Sequence, residues 1–361
     1  MALAAEMLFA RQKPSNSKPQ HDSLSKVVDK HFTQWDRNHD KLLDIFEVDH
    51  VIEDRSVHGR LAGFIVCVRY HLTDKNNSST LSHPQLLKLV DEKKFFKSFE
   101  QNVKRLETID RELFLPTDPD LNTFNQGRLN DCYLLSPIAA QAQRNPKAIR
   151  EMIHPEVTGG FKVVYGDGQK IHVPPLTDSE LLLGARLDHR HGSWLAVLEK
   201  SYGIIRKQKH EKHGTKPDPK NGSEAIQQTN WGGAGEILTL LTGHRSESLN
   251  LHKASIEETH NLLRDQWHKK HLLTVSKNAD KGPPGIGTRH AYAILSYDSQ
   301  KRQVHVFNPW GNNFTPKGPD GPTHGFTTKN GHFHVSLDHF HSVFTNVVYE
   351  TGQPVHRTVK N

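Results

Sequence analysis

Hydrophobic residues recur at helical spacing near the start of the chain, and this pattern predicts an amphipathic helix. The positions are Leu24, Val27, Val28, Phe32 and Trp35. A second helical pattern covers residues 45–52, and a short acidic stretch separates the two. Residues 86–115 are charged, with periodic aromatic and aliphatic positions, and predict further helix up to Pro116. The first 110 residues therefore indicate a small helical unit.

The rest of the chain changes character from helical to strand-like patterns. Apolar and small residues follow Cys132 at helical spacing until Asn145 and Pro146 stop the pattern, which places Cys132 at the start of a buried helix. Two apolar runs at 291–297 and 303–307 are typical of buried strands. We therefore expect an α+β core with helices in its first half and strands in its second.

Composition argues against a membrane-spanning protein and against a disulfide-rich one. The longest uncharged apolar run, residues 61–68, is far shorter than the roughly 20 residues that a membrane-spanning helix needs. With only Cys67 and Cys132 among 361 residues, a disulfide framework is excluded. Two lone thiols suit a reducing compartment, so we expect a cytoplasmic protein without a membrane span. Residues 1–20 are polar and are expected to be disordered.

The net charge of +7 raises the question of nucleic-acid binding. The basic residues are spread along the chain, and their densest stretch is 206–220. That stretch has no aromatic residue on which a base could stack, so we interpret it as a solvated loop. No nucleic-acid partner is expected.

The acidic stretch between the first two predicted helices has the spacing of a calcium-binding EF-hand loop. Such a twelve-residue loop supplies oxygen ligands from positions 1, 3, 5, 7, 9 and 12. Those positions hold Asp36, Asn38, Asp40, the Leu42 carbonyl, Asp44 and Glu47. Position 6 normally needs Gly for its left-handed backbone, and Lys41 stands there at a cost of about 1–2 kcal/mol. We predict Ca²⁺ at this loop, with weakened affinity; a helix–turn–helix that binds no ion is the alternative.

A second, degenerate loop follows at residues 74–85. It carries a single carboxylate, Asp74, and ends in Gln85 where a calcium loop needs Glu. Leu81 occupies the position that Leu43 has in the first loop. We therefore expect the second loop to pair with the first without binding calcium, within an EF-hand-like module at 21–110.

Four residues have the chemistry of a thiol-based hydrolytic site. A thiol at a helix N-terminus, such as Cys132, is a candidate nucleophile, and the amide of Gln126, six residues earlier, is a candidate oxyanion donor. His290 opens the first predicted strand, and Asn308 ends the second. On adjacent strands the two would lie side by side, so that Asn308 orients the imidazole as a general base.

These segments together resemble the calpain-type cysteine proteases. The resemblance rests on QGRLNDCYLL around Cys132, WLAVLEKSYG at 194–203, RHAYAIL around His290 and FNPWGN around Asn308, in the family's order over roughly residues 115–350. It implies a papain-like core of two subdomains, 111–235 with the nucleophile and 236–355 with His290 and Asn308. It also implies that Cys132 is the nucleophile, His290 the general base and Asn308 the orienting residue. Gln126 would be the oxyanion donor.

The resemblance implies an intracellular endopeptidase that hydrolyses proteins or peptides through a thioester. Because the acidic loop at 36–47 is the predicted calcium site, we expect any calcium modulation to pass through the N-terminal module. Two alternatives remain open. One is an acyltransferase of the transglutaminase type, which usually orients its His with Asp and so fits Asn308 less well. The other is an inactive, calcium-responsive binding scaffold.

Overall fold

The computed structural model describes residues 18–74, 76–121, 124–157, 159–185, 192–215, 229 and 232–355. Of the N-terminal segment expected to be disordered, residues 1–17 lie outside this set, and residues 18–20 already belong to the first helix. The basic stretch at 206–220 also differs from the expected loop. Its first part continues a helix to Lys212, and residues 216–220 lie outside the described set.

Five helices and two short strands form the N-terminal unit. They are α1 (Lys18–Trp35), β1 (Leu42–Leu43), α2 (Ile45–Glu53), α3 (Gly59–Thr73), β2 (Leu81–Ser82), α4 (His83–Val90) and α5 (Lys93–Thr108). The apolar positions of the helical pattern, including Leu24, Val28 and Phe32, are buried in its core. Strands β1 and β2 pair antiparallel, with Leu43 opposite Leu81, so the two loops lie side by side.

The segment that follows contains more strand than the sequence pattern predicted. Its helices are α6 (Cys132–Arg144), α7 (Pro146–Met152), α8 (Asp178–Leu183), α9 (Trp194–Lys212) and α10 (Ala234–Thr242). Between α7 and α8 lies an antiparallel three-stranded sheet of β3 (Ile153–Pro155), β4 (Phe161–Val164) and β5 (Lys170–Val173). The expectation that strands are confined to the second half of the core is therefore wrong.

A six-stranded antiparallel sheet dominates the C-terminal half, in the order β10-β9-β8-β7-β11-β6. The strands are β6 (His244–Asn250), β7 (Leu273–Lys277), β8 (His290–Asp298), β9 (Gln303–Phe307), β10 (His332–Ser336) and β11 (Asn346–Pro354), with helices α11 (Ile256–His268) and α12 (Leu337–Val343). Residues of β8 and β9 pack with α6 and α9 in one hydrophobic cluster. Helices α11 and α12 contribute to a second cluster with other residues of the same sheet.

Hydrophobic clusters extend across both ends of the segment at 111–235. Position 235/236 falls inside α10, which contacts both α6 and β6. Leu129, Leu182 and Leu183, from beyond residue 111, are buried in the core of the helical unit. The Arg105 guanidinium donates hydrogen bonds of 2.9 Å to the carbonyls of residues 181 and 182. The core of the helical unit therefore extends into the segment at 111–235, whose helices α6 and α9 pack in the other cluster with β8 and β9.

A search of the described helices for one long and apolar enough to cross a bilayer finds none.

Candidate active site

Cys132 is the first residue of α6, as the pattern of the sequence predicts. Asp131 is the N-cap, and its carbonyl accepts hydrogen bonds from the amides of Leu134 and Leu135, which form the first turn of the helix. The thiol therefore lies at the positive end of the helix dipole, which favours a thiolate by a fraction of a kcal/mol to about 1 kcal/mol. The helix after it is buried over Tyr133–Ala142, which fixes the position of the Cys132 thiol.

Burial outweighs the helix dipole at this thiol. Desolvation raises the pKa of Cys132 to about 11, and the nearby Asp131 carboxyl adds to the increase. Hydrogen bonds from the backbone amides of Ala291, Tyr133 and Cys132 itself act in the opposite direction. In this structure Cys132 is therefore a neutral thiol at pH 7, and a base must remove its proton for nucleophilic attack.

His290 and Asn308 meet at the ends of two paired strands. His290 opens β8, Asn308 directly follows β9, and the register aligns Ala293 with Phe307. This register brings the imidazole Nε2 to 2.8 Å from the Asn308 Oδ1, and both residues are buried. Because Oδ1 can only accept, Nε2 is the donor, and Nδ1 is left as the proton-accepting nitrogen.

The bond between His290 and Asn308 is itself held in place. The Asn308 Oδ1 accepts a second hydrogen bond from the Trp310 amide at 3.0 Å, and its Nδ2 donates to Asn312 Oδ1 at 2.9 Å. The indole of Trp310 lies against the imidazole, with ring centroids 4.2 Å apart and ring planes tilted by 34°. Burial lowers the pKa of His290 to about 4, although the hydrogen bond that the imidazole donates to Asn308 acts to raise it. The imidazole is therefore neutral at pH 7 and able to accept a proton.

A cavity of about 340 Å³ brings the thiol and the imidazole together. Cys132 and His290 both line it, one from α6 and the other from β8. Its other walls combine polar side chains, among them Ser248, Thr274 and Asn278, with aromatic, aliphatic and glycine positions and with Arg289. The arrangement is thus a cleft in which a peptide can reach a thiol and a neutral, oriented imidazole.

Gln126 lies beside this cleft without lining the described cavity. Its Nε2 donates to the Leu129 carbonyl at 2.5 Å, and its buried Oε1 has no hydrogen-bond partner in the described structure. Its backbone amide donates to the Pro309 carbonyl at 2.6 Å, which ties the nucleophile loop to the segment after Asn308. One of the two Nε2 hydrogens is used within the loop, so a single hydrogen is left for an oxyanion.

A buried carboxyl pair lies directly behind the nucleophile, and no local sequence pattern indicates it. Asp131 and Glu199 are fully buried and interact with each other. Both Glu199 oxygens accept from the Ala185 amide, at 3.0 and 2.8 Å. Burial raises the pKa of both carboxyls, and the Glu199 charge raises that of Asp131 further. The pair is therefore expected to share a proton, which joins α9 to the N-cap of α6.

The acidic loop at 36–47 has the backbone expected of its spacing. Lys41 adopts a left-handed conformation with φ of 67°, and its amide donates to Asp36 Oδ2 at 3.0 Å. The loop closes where the Glu47 carboxylate accepts from the Asp44 amide at 3.1 Å, within a capping box of α2. The second loop closes in the same way, with Gln85 Oε1 accepting from the Ser82 amide at 2.8 Å.

The carboxylates of this first loop are bonded to the backbone. Glu47 Oε1 accepts from the amides of Arg37 and Asn38, at 2.8 and 3.3 Å. Asp36 Oδ1, in contrast, is buried with no hydrogen-bond partner in the described structure. No group of three or more His, Cys, Asp or Glu side chains in the described part of the chain is arranged to hold a metal ion. The unpartnered Asp36 oxygen fits a cation ligand. The Glu47 carboxylate, in contrast, is bonded to backbone amides and is not positioned as a second ligand.

Comparison with known proteins assigns the larger part of the chain to a protein family. The family model described as calpain family cysteine protease matches residues 84–320. The match starts inside α4 and includes Gln126, Cys132, His290 and Asn308, whereas the loop at 36–47 lies outside it. A search of curated proteins found no match.

Proposed function

Because the chain belongs to the calpain family of cysteine proteases, we propose that it is an endopeptidase with Cys132 as nucleophile, His290 as general base and acid, and Asn308 as orienting residue. The observation that carries this proposal is the 2.8 Å bond between His290 and Asn308 at the wall of the cavity that Cys132 also lines. An acyltransferase of the transglutaminase type is less well supported, since the orienting group is an amide and not a carboxylate.

The first chemical step is attack on the scissile carbonyl. The free Nδ1 of His290 takes the proton of the Cys132 thiol as Sγ bonds to the carbonyl carbon. Asn308 holds the imidazole in the tautomer that leaves Nδ1 unprotonated, and Trp310 covers one face of the ring. Because both groups start neutral, the charge separation develops only as the substrate arrives and displaces water from the cleft.

The second step is collapse of the tetrahedral intermediate. Its oxyanion would be held by the Cys132 amide at the start of α6 and by the remaining Nε2 hydrogen of Gln126. The imidazolium of His290 gives its proton to the leaving amine, which produces a thioester on Cys132. Water, deprotonated by the now neutral His290, then releases the acid and restores the thiol.

Hydrolysis of an unfolded protein substrate by the full chain tests this proposal. We expect new peptide termini, and we expect an electrophilic peptide analogue to label Cys132 stoichiometrically and to stop turnover. The same reaction in the presence of a primary amine distinguishes peptide hydrolysis from acyl transfer. Predominant transfer of the acyl group to the amine would identify an acyltransferase, and no turnover with an unlabelled Cys132 would identify a scaffold.

Replacement of Asn308 by Ala should lower kcat by about 10²-fold and change KM little. The side chain acts on His290 and does not reach the substrate, so its loss misorients the base without removing a binding contact. Steady-state kinetics on a peptide substrate measure both constants.

A matched control is Asn313→Ala, which removes an amide from the same segment. Asn313 Oδ1 accepts from the Asn330 amide at 2.7 Å and has no contact with His290 in the described structure. This variant should keep the wild-type kcat. An unchanged kcat in Asn308→Ala would show that another group orients the imidazole.

We further propose that calcium binds the loop at 36–47. Its ligands would be Asp36, Asn38, Asp40, the Leu42 carbonyl, Asp44 and Glu47. The unpartnered Oδ1 of Asp36 supports this proposal, and Lys41 already has the turn conformation that the loop needs. Binding requires the Glu47 carboxylate to give up hydrogen bonds to the Arg37 and Asn38 amides, which should weaken affinity.

Calorimetric titration of the full chain with CaCl₂ should find one site of modest affinity. Glu47→Gln should abolish the binding heat, because it removes a charged oxygen from the last position of the loop. Glu53→Gln, at the end of the same helix, makes the same change in charge outside the loop and should bind as the wild type does. A full chain that gives no heat with CaCl₂ would exclude calcium here.

A further inference from the structure

Arg289, next to the general base, has a backbone conformation that is costly for a residue with a side chain. Its φ is 50°, in the left-handed region that disfavours a Cβ by about 1–2 kcal/mol. It directly precedes His290 and lines the same cavity. Strained residues that persist beside an active site often carry part of its function.

Arg289 differs in charge from the rest of the cavity wall. The other described lining residues are Cys132, His290 and a set of neutral amide, hydroxyl, aromatic, aliphatic and glycine positions. Because burial lowers the pKa of His290 and raises that of Cys132, both are uncharged at pH 7. Arg289 is thus the one permanently charged residue among those that the structure places on this wall.

The present partner of the guanidinium can be exchanged. Its Nε and Nη2 both donate to Asp280 Oδ1, at 3.0 and 2.7 Å. The two side chains are 70% and 79% exposed, so the pair is screened by water and contributes little stability. Asp280 does not line the described cavity. A carboxylate that enters the cleft on a substrate can therefore replace Asp280 at small cost.

We infer that Arg289 is a specificity-determining residue that favours peptide substrates with an Asp or Glu side chain in this cavity. The inference rests on the proposed peptidase function and adds the substrate class. A substrate carboxylate beside Arg289 gains the attraction of a solvent-exposed charge pair, which the uncharged Gln analogue lacks.

Matched peptides that carry Glu or the isosteric Gln, placed in turn at each position flanking the scissile bond, test the inference. At the position that occupies the cavity, the wild type should show a kcat/KM about fivefold higher for Glu than for Gln. Arg289→Gln should bring the ratio close to one. Asp280→Asn should raise it above the wild-type value, because the guanidinium then has no competing carboxylate.

Two controls separate a local contact from a general charge effect. Arg264→Gln removes one positive charge from α11, where the guanidinium pairs with Asp265, and should keep the wild-type ratio. Added salt should lower the wild-type ratio and leave that of Arg289→Gln unchanged.

The outcomes also separate the two proposals. Cleavage of both peptides with a ratio near one at every position would overturn the role of Arg289 and leave the peptidase intact. A preference for Glu that survives in Arg289→Gln would assign it to another residue and would equally overturn the inference. Failure to cleave any peptide would contradict the proposed function, and the inference with it.

Discussion

Cys132→Ser should fold as the wild type does and lose hydrolysis by about 10⁴-fold or more. The substitution changes one atom of a half-buried side chain, so the packing of α6 is kept. A hydroxyl is a much weaker nucleophile than a thiol, and the neutral imidazole of His290 is positioned for a thiol proton. Turnover of an unfolded protein substrate tests the loss of hydrolysis, and the thermal unfolding midpoint tests whether the fold is kept.

Cys67 provides the matched control for this experiment. It is buried in α3, its thiol accepts a hydrogen bond from Asn102 Nδ2 at 3.3 Å, and burial raises its pKa to about 12. Cys67→Ala should therefore retain activity, with at most a modest loss of stability. Retained turnover in Cys132→Ser would mean that the nucleophile is misassigned.

Deletion of residues 1–110 should prevent the remaining chain from folding cooperatively. Leu129, Leu182 and Leu183 are buried against the helical unit and would become exposed, together with the carbonyls that Arg105 now binds. Burial of one leucine contributes about 1.5–3 kcal/mol, so three exposed leucines cost about 4.5–9 kcal/mol, which is comparable to the whole stability of a typical protein. Calorimetry of the fragment measures the loss.

A point substitution in the full chain tests the same shared core without a truncation. Leu129→Ala should lower the free energy of unfolding by about 2–5 kcal/mol, as for other buried leucines. Val157→Ala, at a fully exposed position, should leave it unchanged. A fragment from residue 111 that unfolds cooperatively at the wild-type temperature would show that the two parts fold separately.

The positions of the three proposed catalytic residues in the fold could be predicted because local patterns determine them. Cys132 begins a helix that is predicted by a run of small and apolar residues, and His290 and Asn308 are at the ends of two apolar strands. The structure places these three as the patterns predict. Neighbouring antiparallel strands bring their ends close together. The two strand patterns were therefore sufficient to predict that His290 and Asn308 lie side by side.

The features that could not be predicted depend on distant parts of the chain or on very short elements. Strands β3, β4 and β5 have only three or four residues each, too few for a period to be recognised. Asp131 and Glu199 come together through the packing of α6 and α9, and neither has a local signature of burial. The bond from Gln126 to the Leu129 carbonyl depends on the exact course of a loop.

Trp310 gives this protein a built-in optical probe of its own active site. The indole is 41% exposed and contacts the His290 imidazole, whereas Trp35 and Trp194 are buried elsewhere. A charged imidazole quenches the emission of an indole in contact with it, and a neutral one does so far less. The difference in intrinsic fluorescence between the wild type and Trp310→Phe should therefore follow the protonation of His290, and its shielding by a bound peptide, because the other four tryptophans are present in both proteins.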